Sequence, residues 1–386
     1  MSLLDILCSS RFNFIRGKLS LSQVIIEYMV PTPTNIDSLT RESDIKLKDL
    51  RSVIPKGAFR LSPTRAISAL LVRLAIIAGA LWGLTVAPSY LYPLLWFIQG
   101  WTMVGLFVIG HDAGHDSFSG IKIVDRFVGH LCMAPLANSF HTWVVTHNHH
   151  HAHTQLRGSE IDWASHLQTK EELATRNWRE HFVIKMGYAM PFGIFFWILV
   201  NIARRGALIE TQIGAEKYKR ERSRLLFSNL LMLTCVISIY GGLYLYGGVW
   251  AMLLFYGIPA TIATLTGSLI ITIQHANRQT LSYTKSGWTP TRGQIVSTFD
   301  VRFWAPFEWL WCHITCHIPH HLAPSVPWYN LRMASTALQD KFPDYYQSRR
   351  FSWWHIGWFR KTPTIREVPE MGYFVIETSK PKMVTT

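Results

Sequence analysis

Three histidine clusters lie at intervals along this chain, and their spacing is typical of metal ligands. The first has the pattern H-x-x-x-H and the other two have the pattern H-x-x-H-H; they are formed by His111 and His115, by His147, His150 and His151, and by His317, His320 and His321. Imidazole binds iron, zinc, copper and nickel, so the spacing alone does not name the metal. Eight imidazoles are enough to surround more than one metal ion.

Helical spacing brings some of these histidines together. His111 and His115 are four residues apart, which places them on one face of a helix. His147 and His151 have the same relationship, and His150 lies beside them. His275 stands at the end of a later apolar segment, where we expect it to reach the clusters as a further ligand. The neighbouring histidines His141, His149 and His153 exceed what the pattern requires.

The cysteines near the third cluster raise two other possibilities. The spacing excludes a c-type haem attachment site, whereas a structural zinc site stays an alternative. A c-type haem attachment needs C-x-x-C-H, but the segment from Cys312 to His317 has one residue too many between its cysteines. A structural zinc site would use four ligands and would leave most of the histidines unexplained.

Composition favours a membrane protein. Hydrophobic residues make up 49% of the 386 residues and charged residues only 16%, against about 25% charged in soluble proteins. The net charge of +14 then fits basic segments that face anionic headgroups. The five cysteines are an odd number and indicate no disulfide framework.

Four apolar segments are long enough to cross about 30 Å of hydrocarbon. They are residues 66–86, 91–110, 225–246 and 249–273, the last two joined by Gly247 and Gly248. Arg73 lies inside the first segment and must snorkel or face protein. The aromatic segment 183–203 contains a lysine and a proline, and we expect it to lie in the membrane interface; a fifth span is the alternative.

The distribution of basic residues predicts the orientation. Lys and Arg are concentrated in the loop 204–224 and in residues 1–65, and they are absent from the short connections between paired spans. The positive-inside rule therefore places the N-terminal arm (1–65), this loop and the C-terminal tail (341–386) in the cytoplasm, around a membrane domain of residues 66–340. All three histidine clusters then lie on the cytoplasmic side.

The segments HDAGHDSF, HNHHHAHT and HIPHHLAPSVPWYNLR resemble the three histidine boxes of the integral-membrane fatty acid desaturases. The continuation from Pro327 to Arg332 is most similar to the acyl-lipid omega-6 (delta-12) desaturases of cyanobacteria and plastids. The resemblance implies an all-α integral membrane fold, with four transmembrane helices in two hairpins and a cytoplasmic helical cap that holds a histidine-rich di-iron site. By position, the implied iron ligands are His111, His115, His147, His150, His151, His275, His317, His320 and His321.

The same resemblance implies the reaction and its partners. Two iron ions, O2 and two electrons introduce a cis double bond into a lipid-linked acyl chain. The chain lacks the H-P-G-G motif of a fused cytochrome b5 domain, so we expect a separate electron donor, ferredoxin or cytochrome b5. His313 fits no box position. A carotenoid or alkane hydroxylase or ketolase with similar boxes is the nearest alternative, and a membrane metal transporter is a third.

Residues around the boxes supply two further expectations. Histidine ligands need partners that fix their tautomers. Among the nearby acids, we expect Asp162 to do so and the others to be surface or salt-bridged: Asp112, Asp116, Glu160, Asp300 and Glu308. Several aromatic residues could line an acyl tunnel or pack in the core and the membrane interface: Trp143, Phe303, Trp304, Phe307 and Trp311.

Overall fold

The computed structural model describes residues 45–161, 167–181, 209–277, 280–351, 364–369 and 372–376. Most of the predicted N-terminal arm, the predicted interfacial segment 183–203 and Asp162 lie outside these ranges.

Helices account for most of the described residues. They are α1 (Leu47–Ser52), α2 (Pro63–Val86), α3 (Tyr92–Gly114), α4 (Lys122–Met133), α5 (Phe140–His153), α6 (Lys170–Ala174), α7 (Ala215–Met252), α8 (Ile258–His275), α9 (Ala305–Leu310), α10 (His317–Leu322) and α11 (Leu331–Lys341). Two π-helical turns contact helices that carry histidine clusters: Leu253–Gly257 contacts α3, and Arg292–Val296 contacts the end of α5.

The chain is mostly helical as expected, but six short strands in its described part show that the expectation of an all-α fold was wrong in detail. They are β1 (Gln168–Thr169), β2 (Leu281–Tyr283), β3 (Asp300–Arg302), β4 (Ser348–Arg350), β5 (Thr364–Val368) and β6 (Tyr373–Ile376). A four-stranded sheet has the order β1-β5-β6-β2, and β3 pairs with β4 in parallel. Strands of two to five residues are too short for the alternating pattern that identifies a strand in a sequence.

Three helical stretches in the described part of the chain are long and apolar enough to cross a membrane. They are Pro63–Val86, Ser89–Gly114 and Ala215–His275. The first two match the first two predicted spans. The third is 61 residues long and contains both of the other predicted spans, so the count of four spans stays a prediction.

The third stretch does not run straight. Gly247 and Gly248 have non-helical backbone angles, and Gly248 has a φ of 65°, which favours glycine. The rings of Tyr240 and Tyr256 lie 5.4 Å apart, whereas sixteen residues of straight helix would separate them by about 24 Å. The chain therefore turns back on itself at the two glycines.

Helix α3 packs closely against α8. A Cβ atom at Gly100 would lie 2.7 Å from the carbonyl oxygen of Pro259, so only glycine permits this approach. Trp96 and Gln99 donate hydrogen bonds to the carbonyl oxygens of Leu254 and Phe255, both at 2.9 Å. These carbonyls belong to the π-helical turn before α8. The contacts fix α8, which ends at His275, against α3, which carries His111.

Arg73 faces the protein interior and is fully buried. Its guanidinium donates to the carbonyl oxygens of Ala69 at 3.0 Å and of Leu310 at 3.1 Å, and it lies 4.9 Å from the ring centroid of Trp309. The carbonyl oxygens at the end of α9 are thereby satisfied. This contact holds the segment before the third histidine cluster against α2.

Candidate metal centre

Four helices supply the nine predicted ligands. Helix α3 carries His111, and His115 is the residue at which that helix ends. Helix α8 ends at His275. Helices α5 and α10 carry the second and third clusters. The structure brings all nine side chains together from these helices.

One group contains five histidines whose ligand nitrogens all lie within 4.8 Å of one another: His111, His115, His147, His151 and His320. We call this group A. Four of them form a closed ring of Nε2 atoms. The Nε2 distances are 3.1 Å from His111 to His147, 3.0 Å from His147 to His151, 3.0 Å from His151 to His320, and 3.0 Å from His320 to His111.

A second group, group B, lies beside it. The ligand nitrogens of His150, His275 and His321 lie within 4.8 Å of one another. The Nε2 atom of His317 lies 2.7 Å from that of His275 and 3.1 Å from that of His321, so His317 belongs to the same group.

The two H-x-x-H-H clusters divide in opposite ways. In α5, His147 and His151 enter group A and His150 enters group B; in α10, His317 and His321 enter group B and His320 enters group A. Residues four apart share a helix face, whereas the residue between them points elsewhere. Each cluster therefore contributes to both groups.

The donor spacing fits a bound metal ion. With metal–imidazole bonds of about 2.1 Å, neighbouring ligands of an octahedral ion lie about 3.0 Å apart. The Nε2 distances within the two groups are 2.7 to 3.1 Å. Nε2 of His115 is buried and has no hydrogen-bond partner within the described part of the chain, as expected of an atom that serves as a ligand.

Burial favours the neutral form of several of these imidazoles. Desolvation, with a contribution from neighbouring histidines, holds the pKa of several of them well below the ordinary value: His147, His151, His317, His320 and His321. Desolvation also lowers the pKa of His115 to about 4. A neutral imidazole has one nitrogen lone pair free to bind a metal.

Glu160 orients the ring of His150. Its carboxylate oxygens lie 2.9 and 3.0 Å from Nδ1 of His150, and both residues are buried. The same carboxylate accepts the backbone N–H of Gln155 at 3.0 Å and of Ile161 at 2.8 Å. Because a carboxylate only accepts, Nδ1 of His150 carries the hydrogen and Nε2 is left for a ligand role.

Asp112 and Asp300 hold two further parts of the centre. Asp112 lies 3.2 Å from Nδ1 of His111 and accepts the backbone N–H of Trp328 at 2.8 Å. Asp300 accepts the backbone N–H groups of His317 at 2.7 Å and Ile318 at 2.8 Å. Burial raises the pKa of Asp300 to about 6. Asp300 therefore fixes the start of α10.

These contacts correct the expectation for the carboxylates. Asp112, Glu160 and Asp300 are buried beside the histidines and do not lie on the surface. Glu308 is salt-bridged as predicted, to Arg302 and Arg332, and Asp116 is exposed. Asp162, the acid favoured from the sequence, lies outside the described residues. No local pattern separates these acids, since their contacts depend on the tertiary fold.

The surplus histidines have other contacts. Nε2 of His141 lies 3.0 Å from Glu221, Nε2 of His149 lies 2.8 Å from the carbonyl oxygen of Ser159, and Nδ1 of His153 lies 3.0 Å from that of His149. His313 packs against the ring of Trp328. Among the described residues, none of these four belongs to group A or B.

Of the aromatic candidates, Trp143 is the one beside the histidines. Its ring stacks on that of His147, with centroids 4.2 Å apart. Phe303, Phe307 and Trp311 pack on one another, and Trp304 is 71% exposed. Of this set, Trp143 is therefore the residue that contacts the histidines of group A.

Comparisons of the sequence with known proteins find relatives that match most of the chain, including the segments that form this site. The sequence model of the fatty acid desaturase family matches residues 87–353. The chain is 29% identical to the sn-1 oleoyl-lipid 12-desaturase of Picosynechococcus, over 83% of this chain and 90% of that protein. It is 28% identical to the Synechocystis protein of the same name, over 83% and 89%. It is also 28% identical to the chloroplastic omega-6 fatty acid desaturase of Glycine max, over 80% and 71%.

The matched region contains all three histidine clusters and His275, and the matches extend over most of the chain. The chain belongs to the fatty acid desaturase family.

Proposed function

We propose that this protein introduces a cis double bond into acyl chains of membrane lipids, at the delta-12 (omega-6) position. The observation that carries the proposal is the convergence of the three histidine clusters and His275 into two adjacent groups of imidazoles. The names of the cyanobacterial and plastid relatives support oleoyl lipid as the substrate.

The two groups are proposed to hold two iron ions. Group A would supply five imidazole ligands and group B four. The donor spacing, the low pKa values and the contact of Glu160 with His150 support this assignment. Histidine ligation also suits other metals, so the choice of iron rests on the family.

The reaction consumes O2. One –CH2–CH2– unit, one O2, two electrons and two protons yield –CH=CH– and two waters. Such chemistry is supplied by the bound metal and O2, whereas the protein supplies position and exclusion of water. The two electrons are proposed to come from a separate one-electron carrier, ferredoxin or cytochrome b5.

The chain's own residues have three tasks. The buried imidazoles bind the metal through Nε2. Glu160 holds the hydrogen on Nδ1 of His150, and Asp300 fixes the helix that carries the third cluster. Trp143 places an apolar wall against His147, where an acyl chain would approach.

The membrane arrangement is also proposed. Residues 1–65 would form an arm, residues 66–340 a membrane domain with four spans in two hairpins, and residues 341–386 a tail. This arrangement would place the metal centre on the cytoplasmic or stromal side. The turn at Gly247–Gly248 and the basic residues before it support this arrangement.

Expression in a host rich in oleoyl lipids tests the function. We expect gas chromatography with mass spectrometry to find linoleoyl chains, and the His320→Ala variant to yield none. Stable hydroxylated or keto products would instead favour the oxygenase alternative. A cis double bond at another position would leave the enzyme class and change only the regiochemistry.

A further inference from the structure

Gln294 lies in the π-helical turn Arg292–Val296, outside all three histidine clusters, and its side chain is buried. The turn packs directly on the end of α5. A Cβ atom at Gly293 would lie 2.5 Å from the carbonyl oxygen of Thr154, so glycine is needed for this approach. Trp288 donates from Nε1 to the same carbonyl oxygen at 2.9 Å. These contacts bring Gln294 between the second and third clusters.

The amide of Gln294 makes one contact with each cluster. Its Nε2 donates a hydrogen bond to the carbonyl oxygen of His151, and its Oε1 lies 2.9 Å from Nδ1 of His321. An amide nitrogen only donates and an amide oxygen only accepts. The contact with His151 therefore sets the orientation of the amide, and the oxygen faces the ring of His321.

This orientation determines where His321 carries its hydrogen. Nδ1 of His321 faces an acceptor, so it must be the protonated nitrogen. Thr154 agrees with this assignment, because its hydroxyl donates to the carbonyl oxygen of His150 at 2.8 Å and its oxygen lies 3.4 Å from Nδ1 of His321. The lone pair of His321 is then on Nε2, which lies 3.1 Å from Nε2 of His317 inside group B.

His151 and His321 belong to different groups. One amide thus joins the backbone of a group A histidine to the ring of a group B histidine. We infer that Gln294 is a positioning residue that sets the tautomer of His321 and the spacing between the two metal-binding groups. This inference rests on the proposed function, in which each group holds a metal ion.

Cobalt(II) binding to the purified full-length protein tests it without relying on turnover. We expect the wild type to bind two ions per chain, measured by metal analysis and visible absorption. Gln294→Met keeps the length of the side chain but removes both contacts. We expect it to weaken binding of one of the two ions about 10- to 100-fold, as for other residues that orient metal ligands.

Gln294→Glu keeps the contact with His321 and removes the contact with His151. A glutamate still accepts from Nδ1 of His321 but cannot donate to His151. We expect this variant to regain two ions per chain, with an absorption spectrum shifted from that of the wild type because the spacing is no longer fixed. Gln347→Met is the matched control, since Gln347 donates to the carbonyl oxygen of Val296 in the same turn, at 3.1 Å. It should bind cobalt as the wild type does.

The outcomes are distinct. Wild-type affinity and spectrum in Gln294→Met would overturn the inference. If Gln294→Met does not fold, Gln294→Glu decides, and a wild-type spectrum in that variant would also overturn it. A wild-type protein that binds fewer than two ions would contradict the proposed metal centre itself.

Discussion

The rings of His151 and His321 lie face to face, with centroids 4.3 Å apart and planes inclined by 28°. One belongs to group A and the other to group B. The two groups therefore share a wall of stacked imidazoles, and a displacement of α5 relative to α10 would alter both groups together. Variants in either helix are expected to affect the whole centre.

Replacement of a histidine from any of the three clusters should abolish activity. His115→Ala, His151→Ala and His320→Ala each remove a proposed ligand from group A. We expect product below detection in the fatty acid profile of the expression host, and less than wild-type metal in the purified variants. His153→Ala is the control, because its ring contacts the carbonyl oxygen of His149 and neither group. Wild-type product from His320→Ala would show that the third cluster is not a ligand set.

Glu160→Gln should weaken metal binding. The glutamine oxygen can still accept from His150. In the wild type the backbone N–H groups of Gln155 and Ile161 both donate to the carboxylate, so in the variant one of them would face the NH2 group, which is also a donor. Loss of such a partner typically costs about 10- to 100-fold in metal affinity. Metal titration of the purified variant measures the effect.

The control for that measurement is Glu172→Gln. Glu172 pairs with Arg157 and has no contact with a histidine of either group. Equal metal affinities for the two variants would mean that Glu160 does not orient His150.

Asp300→Asn should affect both stability and the metal centre. The carboxylate accepts the backbone N–H groups of His317 and Ile318 and a hydroxyl hydrogen from Tyr346. Its loss leaves buried donors poorly paired, at a cost of about 1–3 kcal/mol in the free energy of unfolding. We expect a lower melting temperature together with reduced metal content, because α10 carries three of the nine histidines.

Asp125→Asn separates the two effects. Asp125 is also buried and accepts the backbone N–H groups of Ser119 at 2.9 Å and Gly120 at 3.3 Å, and it lies in α4, which carries no histidine of group A or B. It should lower the melting temperature and leave the metal content unchanged. If Asp300→Asn behaves in the same way, Asp300 stabilises the fold without positioning the centre.

Some of the site could be predicted from local patterns. The spacing of His147 and His151 places them on one helix face, and the structure has them in one group with His150 in the other. The first two spans also follow from apolar runs of sufficient length. Such features depend on helix geometry, which residues close in sequence determine.

Other parts depend on contacts between distant segments. Gln294 and Asp300 contact histidines of the second or third cluster only because a π-helical turn and a short strand pack on α5 and α10. Neither residue has a sequence signal of its own. Strand β5 pairs with β1 and β6, and its partner β1 has two residues, too few for a periodic pattern. The carboxylate favoured from the sequence was Asp162, whereas Glu160 contacts His150.

The orientation in the membrane can be tested on α7. Exposed basic residues lie near its start, among them Lys219 and Arg224, whereas exposed aromatic residues lie near its bend, among them Tyr246 and Trp250. From Arg224 to Gly247 a helix extends about 34 Å, close to the hydrocarbon thickness of about 30 Å. Basic residues mark the cytoplasmic side, and Tyr and Trp are enriched at both interfaces.

We therefore expect a reporter fused after Arg224 to lie in the cytoplasm and a reporter fused after Gly248 to lie on the opposite side. Paired fusions to alkaline phosphatase, active only outside the cytoplasm, and to green fluorescent protein, fluorescent inside it, measure the two positions. The second fusion is the internal control, because α7 must cross the membrane for the two to differ. A phosphatase-active fusion after Arg224 would contradict the two-hairpin arrangement and place a further span before α7, in the segment 183–203. Two cytoplasmic fusions would mean that the turn at Gly247–Gly248 does not reach the far side, and that α7 and α8 enter the membrane without crossing it.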